Sequence, residues 1–246
     1  MSLFQQIKKR LSDFVRPKKE IEPAEAYNLW SSTYDEQTDN PIVFLDKIVF
    51  DELLASINIE NKIIVDIGCG TGRHWEKMLL KKPRELIGYE VSNEMLNKLH
   101  KKYPKAKTYL THENNLKELK DESCDLIIST LVIGYIENLS KAFVEWNRVL
   151  KKNGEIIITD FHPASLRKGA SRSFKNNQEL IFIKNYIHSL KQIKTIAKRM
   201  GWDEISLIQK RVDESIKHFF EKNNSLQVYE KSLGTLILYG YYFKKV

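Results

Sequence analysis

Residues 62–67 (KIIVDI) form an almost unbroken apolar run that ends in an acid and passes straight into Gly68-Cys69-Gly70-Thr71-Gly72. Such a run suits a strand buried on both faces of a parallel sheet. Glycines at its end let the chain turn sharply and bring its backbone close to a ligand with no Cβ in the way. Ligands of open α/β sheets bind beyond the carboxyl ends of the strands. This one segment therefore constrains both fold and site.

The pattern around it alternates. Residues 73–80 predict a helix, 85–90 (ELIGYE) a strand, 93–102 a helix and 107–111 a short strand. Residues 124–130 predict a strand, 139–151 a helix and 155–161 (EIIITDF) a strand. This spacing argues for a doubly wound, mostly parallel sheet. Upstream, one helix is expected from Pro23 to about Ser32, and another opens at Asn40–Pro41 with Asp39 or Asn40 as its cap. Downstream, 172–184 reads as a hairpin turning at Asn176–Asn177, with Leu180, Phe182 and Phe174 on one side. A helix over 188–200 stops at Gly201. Strands over 203–211 and 235–244 flank a short helix and are expected to pair antiparallel. The expected division is a basic amphipathic helix and linker over 1–22, then a single domain over 23–246. Within that domain, 23–60 form a helical cover and 162–187 a substrate-facing insertion.

Composition removes several classes. The 246 residues are 42% hydrophobic and 29% charged, which excludes a wholly disordered chain. No stretch approaches the ~18 consecutive apolar residues of a membrane span. Residues 1–14 lack the apolar region of a secretory signal, and Cys69 and Cys124 form neither a disulfide framework nor a metal-ligand spacing. The expectation is a cytoplasmic protein with no metal site. The net charge of +8 divides into +4 over 1–20, −5 over 21–161 and +9 over 162–246. The late charges are scattered, without one basic run interleaved with aromatics, which argues against a nucleic-acid partner. Leu3, Phe4, Ile7, Leu11, Phe14 and Val15 fall at helical spacing beside Lys8, Lys9, Arg10 and Arg16. Such a helix either caps the domain or rests residues 1–19 on an anionic membrane surface.

The loop reads acid-x-Gly-x-Gly-x-Gly, and Glu90 closes the next strand 18 residues after Gly72. A carboxylate there can accept both hydroxyls of a ribose. The dinucleotide fingerprint places its third glycine one residue later and faces a pyrophosphate. Asp66 at the loop mouth would repel a pyrophosphate and suit an ammonium group.

With VDIGCGTG followed by Gly88-Tyr89-Glu90-Val91-Ser92-Asn93-Glu94-Met95-Leu96, the chain resembles class I S-adenosylmethionine-dependent methyltransferases. The nearest flavour is the ubiquinone/menaquinone-biosynthesis-like small-molecule group. The resemblance covers roughly residues 24–161. It implies a Rossmann-like seven-stranded sheet, mostly parallel with an antiparallel last strand, and S-adenosyl-L-methionine as cofactor. It implies that Asp66, Gly68, Cys69, Gly70 and Gly72 hold the methionine moiety, that Glu90 binds the ribose, and that Val91 and Met95 lie against the adenine. Glu113, with His112 as alternative, is the expected contact to the adenine amino group. Thr130 and Leu131 close the strand where the family lines the sulfonium and methyl. Tyr27 and Tyr34, in AYNLWSSTYD, resemble the family's aromatic cover over the cofactor; core packing is their other reading.

Methyl transfer from a sulfonium is an in-line displacement in which the protein supplies alignment and excludes water. An oxygen nucleophile benefits from a base with a pKa near neutrality. His162, in Phe161-His162-Pro163, is the candidate catalytic base or substrate-orienting residue, with a loop cap as its other reading. Arg167, Lys168 and Arg172 are either anion binders or solvated charge. His188 is a substrate-side candidate, with helix capping or packing as the alternative. The expected activity is methylation of a small-molecule hydroxyl or phenol. The competing readings are an RNA-modifying methyltransferase and a cofactor-binding protein of this fold without methyl transfer. No Asn/Asp-Pro-Pro-Tyr follows the strand 124–130, which argues against amino-methylating DNA and RNA enzymes of that type.

Overall fold

A computed structural model of the chain describes residues 20–36, 39–111, 115–177 and 179–246. The expected N-terminal basic helix, its membrane contact through residues 1–19, and Glu113 with His112 lie outside the described residues.

In chain order the elements are strand β1 (Glu20–Ile21), helices α1 (Pro23–Trp30) and α2 (Pro41–Ala55), strand β2 (Ile63–Ile67) and helix α3 (Trp75–Leu80). Strand β3 (Glu85–Glu90), helix α4 (Asn93–Lys102) and strands β4 (Lys107–Leu110) and β5 (Cys124–Thr130) follow. Then come helix α5 (Leu139–Val149), strand β6 (Leu150–Phe161), helix α6 (Pro163–Arg167) and strands β7 (Ser173–Asn176) and β8 (Glu179–Ile183). Helix α7 (Leu190–Arg199), strand β9 (Trp202–Arg211), helices α8 (Lys217–Lys222) and α9 (Leu226–Ser232) and strand β10 (Leu236–Lys245) complete the chain.

The main sheet has seven strands in the order β4-β3-β2-β5-β6-β10-β9. Neighbours from β4 to β6 pair parallel, and β10 inserts antiparallel between β6 and β9. This is the Rossmann-like topology expected, with the last strand reversed. The apolar runs serve two cores at once because alternate side chains point to opposite faces. Val65, Ile127, Ile156, Ile158, Tyr239, Tyr241 and Phe243 pack with Phe143 and Trp146 of α5 and Ile193 of α7. Ile64, Leu126, Ile128, Ile157 and Tyr242 pack with Leu45, Val49 and Phe50 of α2, Trp75 and Met78 of α3 and Leu99 of α4. Among the described residues, no helix is long and apolar enough to cross a membrane.

A second sheet, β1-β8-β7, covers the carboxyl end of the first. The hairpin forms as expected, but its register differs. Phe174 pairs with Ile181, so it shares a face with Ile183, while Leu180 and Phe182 stand opposite Lys175 and Ser173. Phe174 and Ile183 are buried and Leu180 is exposed. A strand's side-chain period of two makes a one-residue slip exchange its faces. The expected cover over 23–60 also divides. Helix α1 packs Ala26 and Trp30 against Phe174 and Ile183, whereas α2 belongs to the layer on the main sheet.

Of the two proposed caps for α2, Asn40 takes the role. Its side chain accepts from the backbone N–H of Ile42 (2.9 Å) and Val43 (3.4 Å). Asp39 instead pairs with Lys222 at the surface, where ion pairs contribute little. Asn40→Ala is expected to cost about 1 kcal/mol in denaturant unfolding, and Asp39→Ala well under that.

Candidate functional site

The site begins where β2 ends. Gly68 and Cys69 donate their N–H groups to the Tyr89 carbonyl at 2.7 and 3.0 Å, which folds the loop onto β3. Gly70 has a φ of +53°, and a Cβ built there would meet nothing within 4 Å. Its missing side chain leaves free space against the backbone. Glu90, at the end of β3, accepts from the N–H of Gly70, Val91 and Ser92, each at 2.9 Å. Burial raises its pKa, and these three donors oppose that shift.

A cavity of about 680 Å³ opens over this loop. Of the residues expected to bind a cofactor, Tyr27, Tyr34, Gly68, Gly70, Glu90, Val91, Thr130 and Leu131 line it. Leu131 has a φ of +62°, in the left-handed region that favours glycine, and its N–H donates to the Thr159 carbonyl (2.8 Å). Such backbone strain recurs at ligand sites.

The remaining candidates are placed elsewhere. Asp66 is buried beneath the loop and accepts from the Trp75 indole N–H (2.8 Å), away from the cavity wall. Cys69 turns its sulfur toward Gly88, where a Cβ would come within 2.6 Å of it. Gly72 lies against Tyr103, Trp75 and Leu99, and Met95 is buried under α1. These four support the loop and cover and do not line the cavity.

His162 is likewise committed elsewhere. It caps α6: its Nδ1 accepts from the Ala164 N–H (3.1 Å), and Nε2 meets Gln209 Oε1 at 3.0 Å. With Nδ1 as acceptor, Nε2 carries the proton and donates. Both ring nitrogens are engaged, and the residue does not line the cavity. Burial lowers its pKa. His188 Nε2 bonds the Ile136 carbonyl (2.8 Å), and Arg167 is exposed at the end of α6; neither lines the cavity. Pro163 opens α6, which packs against β10.

The structure adds residues that sequence reasoning missed. Asp46, fully buried, pairs with Arg73 Nη2 (2.7 Å), meets His74 Nε2 (3.1 Å) and accepts from Thr159 Oγ1. Burial alone would raise the Asp46 pKa; Arg73, His74 and Thr159 outweigh it and hold the pKa below its ordinary value. Arg73 lines the cavity, and its Nη1 has no hydrogen-bond partner. Asn28 of α1 accepts from Ser92 Oγ (2.7 Å) and the Glu94 N–H (3.2 Å), tying the cover to the start of α4. Tyr27 donates to the Tyr135 hydroxyl (3.0 Å), and Trp30 stacks on Phe174 at 4.7 Å. A sequence signal existed for Asp46. It lies on the apolar stripe Ile42, Leu45, Val49, Phe50 and Leu53, where an unpaired acid is costly.

Burial pushes the Asp66 pKa up to about 7, against the Trp75 hydrogen bond and Arg73, with Glu90 and Asp46 adding to the rise. The unfolded carboxyl loses its proton near 3.8, so stability from this group falls as pH rises from about 4 to 7. Asp66→Asn, which keeps an acceptor for Trp75, is expected to raise the melting temperature relative to the parent more at pH 8 than at pH 5. Differential scanning calorimetry at the two pH values measures this.

A family model described as a methyltransferase domain matches residues 65–158. A ubiquinone/menaquinone biosynthesis C-methyltransferase of Campylobacter jejuni is 31% identical over 104 residues, covering 40% of this chain and 44% of the relative. A malonyl-acyl-carrier-protein O-methyltransferase of Hamiltonella defensa is 28% identical over 122 residues, covering 50% and 46%. The chain thus spans about half the length of these curated relatives. A solved structure of an S-adenosylmethionine-dependent methyltransferase from Archaeoglobus fulgidus aligns over 88% of this chain and 100% of its own, with a TM-score of 0.64 and 15% identity, which shows the shared fold. By loop motif, sheet order and the domain matched over residues 65–158, the chain is similar to the class I S-adenosylmethionine-dependent methyltransferases.

Proposed function

We propose that the protein transfers the methyl group of S-adenosylmethionine to an oxygen of a small molecule. The observation carrying this reading is one cavity lined both by the cofactor loop and by a second, aromatic and polar set of residues. Its wall combines the glycine loop and Glu90 with Tyr135, Phe161 and the insertion residues Ser171–Ser173. Its volume falls within the ~300–1,000 Å³ of small-ligand sites.

The residues present fit the cofactor. Gly70 leaves open the space a Cβ would fill, and the buried Glu90 carboxylate stands beside it, suited to ribose hydroxyls. Arg73 Nη1, a donor without a partner, suits a carboxylate. The clustered rings of Tyr27, Trp30 and Tyr34, with centroids 5.1–6.1 Å apart, suit a cation. When bound, the cofactor supplies a methyl group activated on a sulfonium. The chain's own part is to align the acceptor and exclude water. The cover does the second, because α1 and the β7–β8 hairpin close over the sheet edge and are tied down through Asn28 and Ser92.

A concave cavity of this volume favours a small acceptor over a nucleic acid. The named O-methyltransferase relative agrees with an oxygen acceptor, and the C-methyltransferase relative leaves carbon as the outcome to test against. Among the described residues no histidine lines the cavity. An acceptor ionised by itself near neutrality, an acidic phenol or a carboxylic acid, needs no such base.

Calorimetric titration with S-adenosylhomocysteine tests the cofactor half. The parent is expected to bind, Gly70→Val to lose binding, and Glu90→Ala to weaken it about tenfold or more, the scale of one lost charged hydrogen bond. No heat with the parent would count against the reading. Radiolabelled cofactor offered with phenols, hydroxy acids and carboxylic acids tests the acceptor half; label entering only bulk RNA would overturn it. His162→Asn, which keeps a capping side chain, is expected to hold turnover within about twofold of the parent, and a loss of a hundredfold or more would restore His162 as a base.

A further inference from the structure

We infer that Arg172 sets the acceptor class, and that the cavity takes an acceptor bearing a carboxylate which this guanidinium binds. The inference rests on reading the cavity as a methyl-transfer site.

Arg172 directly precedes β7, lines the cavity and is only 3% exposed. Its Nη2 pairs with Asp160 Oδ1. Its Nε and Nη1 are buried and have no hydrogen-bond partner. A buried donor left unfilled is costly, and more so when charged. The Tyr135 hydroxyl lies beside the guanidinium and interacts with its charge, yet neither Nε nor Nη1 makes a hydrogen bond of good geometry to it. An acceptor oxygen brought by the ligand would fill them.

The guanidinium is also held in place. Its central carbon lies 4.3 Å from the Phe161 ring centroid and 4.9 Å from that of Tyr135. A Cβ on Gly134 would stand 2.3 Å from Nη2, so glycine is what lets the guanidinium lie against this backbone. Asp160 is fixed in turn, accepting from the N–H of Gly134 and Phe161, each at 2.7 Å. Ser171 and Ser173, whose hydroxyls are 3.3 Å apart, line the cavity on either side of Arg172 and add neutral donors.

Charge selects among anions. Asp160 already balances Arg172, so the site offers strong donors with little net positive charge. A monoanion gains the hydrogen bonds without a large uncompensated charge, whereas a dianionic phosphate brings two charges into a cavity that already holds Glu90. Aromatic walls favour an apolar body behind the carboxylate.

The test uses the full chain saturated with S-adenosylhomocysteine and three probes: phenylacetate, phenylacetamide and phenyl phosphate. Calorimetry is expected to show phenylacetate binding about tenfold or more tighter than the other two. Arg172→Lys keeps a cation for Asp160 but loses the unpaired guanidinium donors. It is expected to weaken phenylacetate about tenfold while leaving phenylacetamide and S-adenosylhomocysteine within about twofold. Equal affinity for acid and amide, no phenylacetate binding at millimolar concentration, or tighter phenyl phosphate binding would each overturn the inference on the parent protein alone. Unchanged phenylacetate affinity in Arg172→Lys would overturn it as well. Weakened S-adenosylhomocysteine binding confined to Arg172→Lys would assign the residue to the cofactor and also overturn it. Failure of the parent to bind S-adenosylhomocysteine would instead sink the cofactor reading.

Discussion

A single buried carboxylate, Asp46, joins the parts from which the site is made. It comes from α2 and meets Arg73 and His74, just after the glycine loop, and Thr159 on β6. Isolated at full burial, it would be driven to its neutral form. Held by three partners, it stays charged and fixes Arg73 at the cavity wall. Removing one partner of such a set is costly, typically ~3–5 kcal/mol, because the other charge is left buried. Docking of α2 on the sheet and the placing of the loop are thus parts of one electrostatic arrangement.

The same logic repeats elsewhere on the wall, where Asp160 on β6 holds Arg172. Each arginine keeps at least one nitrogen without a partner, Nη1 of Arg73 and Nε and Nη1 of Arg172. The two anchors are the same chemistry at two places on the wall of one cavity. Asp66 and Glu90 complete the contrast. Asp66, under the loop, has its pKa raised toward neutrality by burial, while Glu90 spends its charge on three backbone donors at the cavity edge. Two acids that look alike in the motif do different work because one faces the cavity and the other faces Trp75.

Much of the fold was legible. Runs such as 62–67 and 124–130 are buried on both faces, and this alone favours a parallel sheet with helices on each side. The glycine loop was legible because its positive φ angles favour glycine, and Glu90 because it closes the next strand at the spacing of the motif. The hairpin was legible but its faces were not, since one residue of register exchanges Phe174 with its neighbours. His162 was misplaced for a similar reason. Its position after a strand is a site position in general, but the local cap and Gln209 take both its nitrogens.

The sequence by itself determined the sheet and the loop between β2 and α3, which follow from local period and backbone sterics, and it showed an acid at the end of β3 in the motif's place. It also determined that the cofactor end resembles that of the methyltransferases. Only the tertiary structure decided which polar side chains meet. Asp46 and Arg73 are 27 residues apart, and Asn28 reaches Ser92 across 64. Arg167 and Arg172 read alike in the chain, yet one is solvated and the other is buried between two rings. Long-range packing sets burial, and burial sets whether a charge is spent on solvent, on a partner or on a ligand.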